Sequence, residues 1–179
     1  ARSGGHDHHD ADRPKGTLSI HAGTTGADGT LPFTFTAPAP AGDHVITARC
    51  VNQNCGQATG TVWVGHKDLR PLPPSPNYTL IGATSTHSDN HYLADEAIKR
   101  LKKVATDYHA QFPNDPVLSI NDASLERGGV FDIRNKWRSP HSEHRRGSVI
   151  DIRANNAAGA IPARNFKDFG NIVRRAGAN

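Results

Sequence analysis

The chain has 179 residues, of which 35% are hydrophobic, with 17 Gly, 12 Pro and a formal net charge of +4. That length holds one medium domain or two small ones, with a modest core and many loops. No apolar run reaches the roughly 18 residues that a membrane-spanning helix needs. The basic balance suits an anionic partner such as a cell-wall polymer. The 21 Lys and Arg are nonetheless spread among 17 acids and aromatics are few, which argues against a specific nucleic-acid partner.

Residues 1–16, ARSGGHDHHDADRPKG, hold almost no apolar side chain and cannot form a core alone. No basic-apolar-small leader opens the numbering, so any signal peptide is expected to be already removed or to lie outside it. The crowded His6, Asp7, His8, His9 and Asp10 suit loose binding of divalent metal without fixed geometry.

Residues 17–66 read as short strands. Phe33 and Phe35 alternate with Thr34 and Thr36, and HVITARC and ATGTVWVG repeat the two-residue period through Val45, Thr47, Val62 and Val64. Turn signals at TGADGT, PAPAGD and QNCGQ separate them, as in a β-sandwich. Cys50 and Cys55, in CVNQNC, are too far apart for a redox CxxC pair and have no second pair for a zinc ribbon. Either they remain free thiols or they close a short loop, worth about 2 kcal/mol and suited to an oxidising, secreted setting.

LRPLPPSP, within 67–77, carries four prolines and reads as a stiff linker and a domain boundary. The remainder, 78–179, mixes element types. Ile98, Leu101, Ala105, Tyr108 and Phe112 recur at helical spacing, and PVLSI and SVIDIR suit short strands. In a second helix Phe166, Phe169, Ile172 and Val173 share a face, with Pro162 near the start and Gly177 at the C-cap. This order suggests an α+β domain. In HSDNH, Ser88 and Asp89 suit a cap or loop at the entry to the first helix, while His87 and His91 would share a face if helical, the functional alternative placing one of them beside a substrate. His109, near the end of that helix, is expected to face solvent.

The stretch SPHSEHRRGSVIDIR carries the chemistry. His141, His144 and Asp151 suit ligands of a hydrolytic zinc site, which uses three protein ligands and one water whose pKa falls to about 7. Gly147 lets the backbone turn between them. An aspartate bracketed by Ile150 and Ile152 in a buried strand needs a positive partner, which either a metal or an Asp–Arg pair at a surface turn supplies. Arg127, Arg134 and Arg145 flank the stretch as candidates for stabilising an oxyanion or gripping a carboxylate, with solvated surface roles as the alternative. Gly128 and Gly129 read as a turn, and Trp137 as core or cleft wall.

SLERGGVFDIRNKWRSPHSEHRRGSVIDI resembles the core segment of the LAS metallopeptidases, which include D-Ala-D-Ala carboxypeptidases, penicillin-insensitive murein endopeptidases and the Hedgehog signalling domain. Their pattern S-x-H-x-x-G-x-A-x-D maps onto Ser142, His144, Gly147, Val149 and Asp151, with Val in place of the usual Ala. The murein endopeptidase branch adds a histidine three residues earlier, matched by His141. The resemblance implies zinc held by His144 and Asp151, His141 as a supporting or alternative ligand, and Ser142 and Trp137 as substrate contacts. In that family a third ligand comes from a later H-x-H strand, preceded by the base; after Asp151 this chain has neither His nor Glu. The expectation is therefore either a further segment beyond the numbering or a domain without hydrolysis, and no catalytic base is named.

Residues 17–66 resemble the later half of a bacterial immunoglobulin-like module, whose open strand edges invite association. The combined expectation is a secreted or cell-surface zinc peptidase acting on a peptide amide of the bacterial cell wall, carried behind an all-β immunoglobulin-like sandwich. The alternative is an extracellular structural or adhesive module that lacks catalysis and assembles with its own kind by strand complementation.

Overall fold

A computed structural model describes residues 13–51, 55–84, 87–130, 143–154 and 158–178. It is a mixed α and β structure in which, among the described residues, two α-helices accompany four small sheets.

The amino-terminal part holds β1 (Thr17–Leu18) paired antiparallel with β2 (Phe35–Thr36), and β3 (Gly42–Arg49) paired antiparallel with β4 (Gln57–Val64) along its whole length. The alternation in β3 and β4 follows the expected period. Asp43, Val45, Trp63 and Thr61 share one face, and His44, Ile46 and Val62 the other. The first face is largely solvent-exposed: Val45 is 62% accessible and Trp63 is exposed, whereas His44 is buried on the second. Cys50 and Cys55 form a disulfide at the ribbon tip, with Cα atoms 5.7 Å apart.

β5 (Leu69–Pro71) pairs antiparallel with β7 (Tyr92–Ala94), and Leu69 and Leu72 are both buried. The prolyl stretch is thus more than a linker. Its leucines enter the packed structure, because proline is tolerated where a strand needs few donors.

β6 (Tyr78–Leu80) runs parallel to β8 (Leu118–Asp122), and α1 (Asp95–Gln111) lies in the crossover between them. Parallel neighbours require such a long connection. β9 (Asp151–Ile152) adds antiparallel on the other side, leaving β8 central. Leu118 and Ile120 of β8 join Leu101, Val104, Ala105 and Tyr108 of α1 in one core. The Tyr108 ring meets Phe169 edge-on at 5.8 Å and so ties α1 to α2 (Phe166–Arg175). Ile172 is buried, Phe169 and Val173 pack against the core, and Phe166 stays exposed. Gly177, at φ 74°, takes the left-handed conformation that suits a helix end.

Two expectations are corrected here. The HSDNH stretch is a loop, as one of its two expected roles has it, but not a helix cap: β7 intervenes, α1 begins at Asp95, and Ala94 at its start offers no side-chain cap. His109 does not face solvent freely; it is half-buried, and its Nδ1 is enclosed without a hydrogen-bond partner among the described residues.

Candidate metal centre

His144 lies in a short 3-10 helix, Glu143–Arg146, with its side chain only 4% exposed. The turn is fastened from β8's end by Ser124. Its hydroxyl donates to the His144 carbonyl and accepts the Gly147 N–H at 2.8 Å. Gly147 has φ 68°, and a Cβ there would lie 2.3 Å from Leu69 Cδ2 and 2.9 Å from the Ala94 nitrogen. Only glycine lets the chain press this closely against the paired β5 and β7 before it turns towards β9.

The imidazole is held at both ends. Nδ1 lies 3.2 Å from the Val149 carbonyl, and Nε2 lies 3.3 Å from Asp151 Oδ2. A carbonyl only accepts, so Nδ1 carries the proton. In neutral imidazole Nε2 then presents a lone pair to a carboxylate oxygen, an arrangement that calls for a proton or a metal cation between them. An imidazole whose Nδ1–H is anchored on a carbonyl is the usual orientation of a metal-bound histidine. Two ligands about 2.0–2.1 Å from a tetrahedral zinc lie about 3.3–3.4 Å from each other, so this pair fits that ion.

Asp151 departs from the expectation of a buried carboxylate. Its side chain is 53% exposed, while Ile150 and Ile152 on either side pack against the core. Solvent reaches the carboxylate side of the pair. The register explains part of this aim. Ile152 pairs with Ile120, but Asp151 pairs with Asp122, a bulge that bends the ladder beside the site. Carboxylates at paired positions repel unless each has its own donors. Asp122 has the side-chain amides of Asn90 and Asn121, whereas Asp151 faces the His144 Nε2 lone pair and is half exposed to water.

The other candidates fall elsewhere. His141, Ser142, Trp137 and Arg134 lie outside the described residues, as do His6, Asp7, His8, His9 and Asp10. Arg145 is exposed on the same turn as His144. The Arg127 guanidinium pairs with Asp43 at 2.7 Å and sits 5.8 Å from the Trp63 ring centroid, which engages it with the amino-terminal ribbon. His91 donates from Nε2 to the Ile81 carbonyl at 2.9 Å, fastening its loop to the sheet, and His87 is buried in the same loop. Among the described residues no group of three or more His, Cys, Asp or Glu converges, and His144 and Asp151 face each other as a pair. Ser124 and Asp122 support the site without having been singled out in the sequence. A serine or aspartate at the end of a strand carries no signal until the partner strand is known. The chain matches no protein-family model and no curated protein.

Proposed function

We propose that the protein is a zinc peptidase of LAS type, secreted or displayed at a cell surface, acting on peptide amides of bacterial cell-wall peptides. In this reading residues 78–179 form the peptidase-like domain and 17–66 an immunoglobulin-like spacer. The observation that carries it is the facing of His144 Nε2 and Asp151 Oδ2 at 3.3 Å, with Nδ1 anchored on a carbonyl. When bound, zinc polarises a carbonyl and activates water. His144 and Asp151 hold it, the buried imidazole fixing its place and the exposed carboxylate leaving a side open. The third ligand and the base are not assigned to residues of this chain. The Cys50–Cys55 disulfide supports an oxidising compartment. Among the described residues no helix is long and apolar enough to cross a membrane.

A second reading, an adhesive module that assembles through strand edges, draws on the ribbon. β3 and β4 pair only with each other among the described residues, which leaves their outer edges open. Elemental analysis of the purified protein tests the leading reading. About one zinc per chain is expected, lost on chelation and absent from His144→Ala and Asp151→Ala. Stoichiometric zinc retained by both variants would remove the site.

A further inference from the structure

We propose that the amino-terminal ribbon is a positioning element for the His144–Asp151 centre, acting through Asp43 and Arg127 on the Gly128–Gly129 turn. This inference rests on the metal reading of the pair for its functional consequence but not for its structural one.

The contacts run without a gap from ribbon to site. Asp43, on β3, accepts from the Arg127 guanidinium at 2.7 Å, and the same guanidinium lies over Trp63 of β4. The Arg127 carbonyl accepts the His66 N–H at 2.9 Å, just past the end of β4. Gly129 forms a bridge with Pro40, and the Val130 N–H reaches the Ala39 carbonyl at 3.3 Å, just before β3. On its other side the Gly129 N–H donates to the Arg145 carbonyl at 3.0 Å, next to His144. Ribbon, turn and site are therefore joined backbone to backbone.

The glycine pair shows how closely. Gly128 and Gly129 have φ of 70° and 80°. A Cβ on Gly128 would meet the Arg145 carbonyl oxygen at 2.3 Å and His66 Cδ2 at 2.9 Å. A Cβ on Gly129 would meet the Ala41 nitrogen at 2.4 Å. Gly65 is tight from the ribbon side, its Cβ position 2.8 Å from the Arg127 carbonyl oxygen. Three segments distant in sequence thus close on one two-residue turn with no room for a side chain. A spacer that merely displayed the second domain would need no such contact. The partly buried, charge-assisted Asp43–Arg127 bond orients the residue before the glycine pair, and through it the Arg145 carbonyl and the His144 turn.

The test uses the full chain with Asp43→Asn and Asp43→Glu. Amide hydrogen exchange is read at Gly129, at Gly147 and, as reference, at Leu118 to Ile120 of β8. Zinc affinity is measured by competition with a chromophoric chelator. Asp43→Asn is expected to speed exchange at Gly129 and Gly147 roughly tenfold with β8 unchanged, and to weaken zinc binding roughly tenfold. Asp43→Glu is expected to restore most of both. Unchanged protection at Gly129 and Gly147, or equal loss at β8, overturns the inference; should Asp43→Asn fail to fold, Arg127→Gln is read by the same criteria. If His144→Ala keeps the zinc, the metal reading fails while the exchange result still judges the coupling.

Discussion

The β3–β4 ribbon and the β6–β8–β9 sheet differ in strand length and draw stability from different sources. The ribbon has eight-residue strands in full register and leaves much of its surface in water. The sheet has strands of two to five residues, but its central strand is sealed under α1 with Leu118, Ile120 and Tyr108 buried. Length of pairing and depth of packing are decoupled here. The candidate centre lies on the packed side, at the edge strand, where a rigid floor and an open rim coexist.

Substitutions sharpen that contrast. The largest effect is expected from Tyr108→Ala, which empties the junction of α1 and α2 and should cost about 3–5 kcal/mol in urea unfolding; Val45→Ala on the ribbon should stay within about 0.5 kcal/mol. Equal losses at the two positions would erase the distinction. Next, Gly147→Ala forces a left-handed alanine against Leu69 and the Ala94 backbone. A loss of about 2–3 kcal/mol is expected from strain and overlap together, read by thermal unfolding.

Reduction of Cys50–Cys55 relaxes a short loop and should remove about 2 kcal/mol. Because no residue of β3 or β4 belongs to the main core cluster, exchange should rise first in β3 and β4 and leave β8 protected. Uniform loss would mean that the ribbon and the sheet unfold as one unit.

The smallest expected effect is a pH dependence at His44. Burial, and then the neighbouring Arg13 guanidinium, hold its pKa below the ordinary histidine value, with Asp43 opposing. Arg13 lies 3.5 Å from Nδ1, and Nε2 has no hydrogen-bond partner among the described residues. The unfolded chain therefore takes up the proton more readily than the folded one. The stability from neutral His44 is present above about pH 6.5 and lost as pH falls through the lower folded value. Melting temperatures from pH 7 to 5 should fall more steeply for the wild type than for His44→Gln; parallel curves would exclude this role.

Much of the secondary structure was legible in the residues. The two-residue period of HVITARC and TGTVWV marks β3 and β4, and the spacing from Ile98 to Phe112 marks α1. Prolines hid the β5–β7 pairing, because a strand that needs few donors looks like a linker until its leucines are seen buried. SVIDIR promised a longer strand than the two residues of β9, since a bulge opposite Asn121 depends on the partner. His144 and Asp151 stood out by spacing, but the Asp43–Arg127 bond joins residues 84 positions apart and leaves no local trace.

The strand order also separates a packed scaffold from its edge. β6, α1 and β8 form a unit that the chain completes before residue 151 is reached. Ile161 and Ile172 join the core of that unit from beyond residue 151, so the carboxylate sits on an edge strand added to a core drawn from both sides of it in sequence. Substitution of the half-exposed Asp151 side chain therefore removes little packing from the scaffold beneath.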